Sequence, residues 1–250
     1  MTRRPRQSGV TLLELLIAVT LVSMLSVAIL YAMRVGLLAL EKVNNRLQSN
    51  RRVVGVERVL EQQIAGLIPV PIQCMPAPEQ PPGAALGFFQ GDIQTMRFVS
   101  SYSLNEATRG YPQALEYSVI PMPDGRGVRL IVNEFPYTGP RSIGPLCIGL
   151  QPDPATGQPV GRFRPVEPNP NSFVLADKLA YCRFSYQERM PLPSPVPEIW
   201  GPRWVKIQKW PSAIRIDLAP LQPDSGALQV MSLVSPVRVT RDPLRKYETY

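Results

Sequence analysis

Proline distribution is the strongest constraint on this chain. After Pro5 there is no proline from Arg6 to Ile68, and 28 of the 29 prolines fall in the last 182 residues. Proline removes a backbone donor and clashes with the preceding turn, so a run without it permits one continuous helix. A tail this rich in proline has to be short strands, turns and loops. The expected architecture is a long N-terminal helix followed by a β-rich domain, an α+β fold. The 250 residues are enough to bury a core.

The first part of the run reads as a membrane segment. Leu15 to Met33 is 19 residues without a charge, dominated by Leu, Ile, Val, Ala and Met. As a helix it would span about 28 Å, close to the hydrocarbon thickness of a bilayer. Arg34 closes it, and Arg3, Arg4 and Arg6 flank the other end, which places the N-terminus in the cytoplasm by the positive-inside rule. A cleaved secretory signal would show a small-residue site after the apolar run, and Tyr31-Ala32-Met33-Arg34 is a poor one. Glu14 does not suit a plain anchor, because a lone carboxylate in lipid costs on the order of a few kcal/mol. Either it snorkels to the headgroups or it has a cationic partner.

Beyond the apolar segment the helix should continue to Pro69. Val43, Leu47, Val53, Val56, Leu60, Ile64 and Leu67 recur mostly at three- and four-residue spacing. A helix from Thr11 to Ile68 would be about 85 Å long, with Gly36, Gly55 and Gly66 as weak points. Pro69 to Gly83 reads as an extended linker. Strands are expected at 94–101, 114–120, 127–133, 180–187, 204–209, 213–219 and 229–239. Pro123-Asp124-Gly125 should turn between the second and third of these, and Pro236 should make the last an edge strand or split it into two pieces. Residues 134–172 should be mostly loop.

Composition narrows the chemistry. With no His, a Ser-His-Asp or Cys-His triad, an H-E-x-x-H zinc site and a His general base are excluded. Gly125-Arg126-Gly127 is too short for a phosphate loop, and Asp92, Asp124, Glu134 and Asp177 show no convergence toward a carboxylate dyad or calcium site. No enzymatic activity, cofactor or metal is expected. The net charge of +8 is spread: +3 in the leader, +3 over 34–68 and +3 over 69–250, offset by Glu14. No basic stripe with interleaved aromatics suggests nucleic acid.

Three cysteines allow three single pairings. Cys182 shares strand parity with Phe184 and Tyr186 and is expected in the core. Cys74 and Cys147 lie in Pro-rich loops, and the expected disulfide joins them.

The Arg-rich leader, Gly9, Thr11-Leu12-Leu13-Glu14 and the uninterrupted apolar helix together resemble the type IV prepilin processing signal. In that family a membrane-embedded aspartic peptidase cuts after the Gly and methylates the new N-terminus. The resemblance implies cleavage between Gly9 and Val10, N-methylation of Val10, and an assembly role for Glu14. One departure is Val10, where Phe or Met is commoner. Glu14 lies four residues from Val10, on the same helical face, so its carboxylate could neutralise the freed amine within one chain or between neighbours.

The later half resembles one branch of this family. Leu179 to Tyr186, then Trp204, Trp210-Pro211 and Ala213 to Leu218, follow the order of the J-type minor pseudopilin of type II secretion systems. This second resemblance covers about 179–239. It implies a pilin-like fold, one long helix (a membrane half and a packed half) against antiparallel β-sheets. The implied organisation is a leader at 1–9, a transmembrane and assembly helix at 10–33, its continuation at 34–68 and a periplasmic β-rich domain at 69–250. The implied partners are the I-, K- and H-type minor pseudopilins, the major pseudopilin, the prepilin peptidase and the bacterial inner membrane. The W-type minor pilins of type IV pili look similar. A membrane-anchored periplasmic binding or enzymatic domain carrying a prepilin-type leader is the alternative from another class.

Overall fold

The computed structural model describes residues 11–74, 86–106, 108–154, 157, 159–189, 198–206, 209–222 and 230–238. The chain divides into two compact units, Met1–Ser49 and Asn50–Tyr250. Helix α1 (Leu12–Ala65) runs through the first and into the second. No proline interrupts it, and nothing lies within 4 Å of where a Cβ would stand on Gly36 or Gly55.

In the second unit α1 is followed by a β-rich body. Its strands are β1 (Leu67–Ile68), β2 (Pro71–Ile72), β3 (Leu86–Gly87), β4 (Gln90–Gly91), β5 (Thr95–Ser103), β6 (Thr108–Pro121) and β7 (Val128–Pro136). Then come a helical turn α2 (Pro140–Ile143), β8 (Cys147–Pro152), β9 (Pro159–Phe163), β10 (Phe173–Arg189), β11 (Glu198–Gly201), β12 (Ala213–Pro220) and β13 (Met231–Pro236). Nine strands form one antiparallel sheet in the order β1-β5-β6-β7-β10-β12-β13, with β4 also on β5 and β11 also on β10. Two ribbons, β2–β3 and β8–β9, stand apart from it. The fold is thus the expected α+β, pilin-like arrangement of one long N-terminal helix and a large antiparallel sheet.

Alternation along the strands separates two cores. Met96 and Phe98 of β5, Leu115, Tyr117 and Val119 of β6, and Phe184 and Tyr186 of β10 pack with Val56, Leu60 and Ile64 of α1. Those helix positions recur every four residues, so one stripe of the helix is buried on the sheet. Val99 and Ala114 point the other way and pack with Val70, Ile72, Cys74, Phe88, Ile143 and Cys147 in a second core.

Strand β10 is what makes one sheet of two halves. Its residues 173–179 pair with β7 and its residues 179–187 with β12. Lys178 adopts φ 53° at the change-over, and the register shifts on either side of it. Such a bulge bends a strand and increases its twist. Gly127, at φ 80°, lies against the bend, where a Cβ would come within 2.4 Å of the Leu179 carbonyl oxygen. Only glycine suits both the positive φ and the close approach.

Several expectations are corrected. The helix ends at Ala65, not at Pro69. Gly66 hydrogen-bonds back to the Gln62 carbonyl (2.9 Å) while its own carbonyl accepts from Ser101 N–H (2.8 Å), so the chain turns straight onto β5. The start of the supposed linker, up to Cys74, is packed: Val70, Ile72 and Cys74 are buried. Residues 134–172 contain α2 and the β8–β9 ribbon as well as loop. Among the described residues of 204–209, Trp204 makes an isolated bridge to Gly91 and no strand is present, and β11 had no sequence signal. Strand β13 ends the sheet order and stops at Pro236, in keeping with an edge strand.

A Cβ on Gly66 would lie 2.8 Å and 2.9 Å from the hydroxyls of Ser100 and Ser101 and 3.1 Å from the Gln62 carbonyl. Gly66→Val should therefore destabilise the protein by about 1–3 kcal/mol through overpacking. Gly55→Ala, in open space within the helix, should be neutral or stabilising by up to about 1 kcal/mol. Urea midpoints of the detergent-solubilised chain compare the two.

Candidate functional site

The N-terminal end of α1 carries the predicted processing and assembly residues. Gly9, Val10 and the leader arginines lie outside the described residues. Thr11 and Glu14 bracket the first turn. Thr11 N–H and Oγ1 each donate to Glu14 Oε2 at 3.3 Å, and Glu14 N–H donates to Thr11 Oγ1 at 3.3 Å. This reciprocal arrangement is a capping box, which satisfies orphan donors at a helix start. The pattern Thr-x-x-Glu before an apolar run is the sequence signal of this cap, and it coincides with the expected helix start at Thr11. Both Thr11 contacts fall on Oε2, and no described residue bonds Oε1.

From Leu12 to Asn44 the helix is long and apolar enough to cross a membrane, and none of its most apolar stretch is buried within the chain. Its hydroxyls do not oppose that environment. Thr20 Oγ1 donates to the Ile17 carbonyl (2.8 Å), Ser23 Oγ to Val19 (2.7 Å) and Ser26 Oγ to Val22 (2.8 Å). A hydroxyl bonded to its own helix backbone leaves no donor unmet in lipid. Glu14 is the sole charged residue between Thr11 and Met33.

The second unit holds the cysteines. Cys74 and Cys147 are joined in a disulfide across 73 residues, with Cα atoms 4.7 Å apart. It sits in the second core and ties the segment after β1 to the start of β8. Cys182 is a free thiol buried in the main core, opposite Leu218 of β12 in the strand pairing and in the same core as Phe184 and Tyr186. Burial, then the charge of Asp217, pushes its thiol up from 9.0 to about 12.

Three of the four candidate carboxylates have separate partners. Asp92 pairs with Arg203 (3.1 Å), Asp124 accepts from Arg126 N–H in the β6–β7 turn (3.0 Å), and Asp177 is exposed at the β10 bulge. Glu134 accepts from Gln63 Nε2 (2.8 Å), Ser103 Oγ (3.1 Å) and Leu104 N–H (2.8 Å). Among the described residues no three His, Cys, Asp or Glu side chains converge on a metal-sized site. Of the predicted tryptophans, Trp204 and Trp210 pack against the main core, and Trp204 Nε1 donates to the Lys209 carbonyl (2.8 Å).

The geometry defines a class first: a long apolar helix, capped by a Thr–Glu box, that continues into a helix-packed antiparallel sheet. Residues 4–30 match the family described as Prokaryotic N-terminal methylation motif. The motif indicates a type IV pilin-like protein, a pilin or pseudopilin, and the apolar helix with its prepilin-type leader fits a membrane-anchored one. No curated protein and no solved structure matches the chain significantly.

Burial makes Cys182 a chemical reporter of the folded state. The native thiol should resist iodoacetamide at pH 8 and react fully in urea. The unfolded thiol ionises near pH 9 and the folded one near 12, so above pH 9 the unfolded state is favoured and stability falls. The loss should be smaller in Cys182→Ala, the remainder near pH 10 coming from the buried phenols of Tyr117 and Tyr186, as read from urea midpoints between pH 8 and 10.

Proposed function

We propose that this chain is the J-type minor pseudopilin of a type II protein secretion system. The observation that carries the reading is the N-terminal methylation motif over residues 4–30, contiguous with an apolar helix whose later turns are built into the sheet. The finer assignment is supported by the order of Leu179–Tyr186, Trp204, Trp210-Pro211 and Ala213–Leu218. The W-type minor pilins share the motif and are the second reading. The motif belongs to structural subunits, so the chain acts by assembling and not by turning over a substrate.

In this reading the leader and N-terminus are cytoplasmic, α1 crosses the inner membrane and the β-rich body is periplasmic. The prepilin peptidase cuts between Gly9 and Val10 and methylates Val10. The cut leaves the Val10–Thr11 amide intact, so the capping box persists and Glu14 keeps Oε2 on Thr11. Oε1 is left for an ammonium. The Val10 amine of a neighbouring subunit supplies that charge, which a carboxylate in lipid needs. The pairing sets the axial register as apolar helices gather. With the I-, K- and H-type minor pseudopilins the chain forms the tip that initiates the pseudopilus and supports export of folded proteins.

Two variants test the two ends of this mechanism. A Cβ branch at residue 9 obstructs the peptidase at the backbone, so Gly9→Val should leave an uncut, leader-bearing protein, and Val10 found as its N-terminus by mass spectrometry would refute the processing step. Glu14→Leu should insert and be cut, yet lose membrane cross-linking to partner pseudopilins and export of a reporter substrate. Wild-type values for both would remove Glu14 from assembly. A deletion strain that loses surface fibres while secretion is unaffected would favour the pilus reading.

A further inference from the structure

The sheet face opposite the main core, where β10, β12 and β13 lie side by side, carries a pattern that the packing does not use. Residues 214, 216 and 218 of β12 point into the core, so Arg215 and Asp217 point out, with Tyr181 and Arg183 from β10 and Val234 from β13 beside them. Strand β11 adds Trp200 to this face, opposite Gln187. Two guanidinium groups are held against rings: Arg215 lies 4.8 Å from the centroid of Trp200 and Arg183 lies 5.2 Å from that of Tyr181. Stacking leaves the planar fork free at its edge and limits the rotamers that would be lost on binding.

The charges on this face do not cancel. Asp217 is the carboxylate between the two arginines. Its Oδ2 is 3.2 Å from Arg215 Nε, an ion pair that lacks an aligned hydrogen bond, and its Oδ1 accepts from Ser232 Oγ at 2.6 Å. Arg183, directly opposite Asp217 in the strand pairing, is exposed and has no ion pair among the described residues. Asp217 thus pairs with Arg215 and leaves Arg183 without an ion pair among the described residues. Val234, also exposed, stands across from Arg215 on β13 and gives the patch an apolar margin. Trp, Tyr and Arg beside an exposed apolar residue is the composition of an interface hot spot.

We infer that this face is a docking surface for a protein partner that presents carboxylates, one of which completes the coordination of Arg183. The inference deepens the reading of the chain as an assembly subunit and rests on it, since it names the surface through which the body recognises its neighbour. A partner face of matching sign would be repelled, so charge selects the neighbour and the stacked rings supply the contact area.

The test uses the full chain in its native membrane, with a photo-cross-linking amino acid in place of Val234. The expected adduct joins a partner protein at a segment containing Asp or Glu. Arg183→Glu combined with Arg215→Glu should lower its yield at least tenfold, and Asp or Glu→Lys at the partner's contact should restore it. A probe at Leu150, exposed on the separate β8–β9 ribbon, should keep its own pattern in the double variant. If the double variant does not accumulate, Arg183→Gln decides: it leaves Asp217 and the Trp200 stack in place and should still lower the yield several-fold. An unchanged yield in that variant, a contact segment without acidic residues, an adduct with lipid alone, or no adduct at Val234 would overturn the inference. The assembly reading fails separately, when Gly9→Val is cut or Glu14→Leu assembles and exports normally, and neither result alters what the Val234 probe contacts.

Discussion

The buried amide of Gln63 decides where α1 rests on the sheet. Val56, Leu60 and Ile64 supply most of the apolar contact, but apolar burial is non-directional and would tolerate a shift of the helix by a turn. Gln63 tolerates none. Its Oε1 accepts from the Tyr117 hydroxyl, its Nε2 donates to Glu134, and its carbonyl accepts from Ser100 Oγ at 2.8 Å. Displacing the helix would strand a buried amide, a phenol and a carboxylate, each at roughly 1–3 kcal/mol. Burial, and then the charge of Glu134, raises the ionisation of Tyr117 well above its ordinary range, so the phenol remains a donor. Through the other bonds of Glu134 the same contact positions the chain after β5 at Ser103 and Leu104.

The other face of β5 and β6 is held by different means. Arg97 and Glu116 face each other across the two strands, fully buried, with Nε 2.6 Å from Oε1. Arg97 also donates to Gln90 Oε1 and to the Arg164 carbonyl, and its guanidinium lies 5.6 Å from the centroid of Phe163. A buried ion pair adds little net stability against an apolar replacement, yet removing one partner is costly. Its effect here is to fix the end of the β8–β9 ribbon, while Cys74–Cys147 fixes the beginning. The second core is small, and closing it by one covalent bond and one satisfied charge pair compensates for limited apolar area.

What was legible in the sequence was local. The proline-free run appeared as α1, the alternation of Leu115, Tyr117 and Val119 as a strand with one face in the core, and the parity of Cys182 with Phe184 and Tyr186 as a buried thiol. Boundaries failed where a distant contact decided them. Gly66 looked like a weak point within a helix and is instead its end, because Ser100 and Ser101 lie against it. The β8–β9 ribbon was lost among prolines and glycines, since its strands are short and bordered by Pro152 and Pro159. Gln63 and Arg97 could not be recognised at all, and Glu134 stood out only as one carboxylate among four without convergence. Their partners lie 54 and 71 residues away for Gln63, and a polar residue carries no periodic signal of its own burial.

The same contrast between met and unmet polar groups separates the two ends of α1. At the sheet end, the buried polar side chain is Gln63, and its hydrogen bonds are all made within the chain. At the membrane end, Thr20, Ser23 and Ser26 are closed onto carbonyls three or four residues back, which leaves Leu12 to Met33 with almost no polar contact to offer a neighbour. Apolar side chains cannot distinguish another helix from lipid by hydrophobicity, so a directional contact between helices has to come from a polar atom. Glu14 Oε1 is the acceptor that the described chain leaves open in that stretch. Its neighbour Oε2 is held by Thr11, so the carboxylate is oriented within its own chain. In the proposed assembly, that orientation and a single remaining acceptor would let one ionic contact select a register among otherwise interchangeable apolar surfaces.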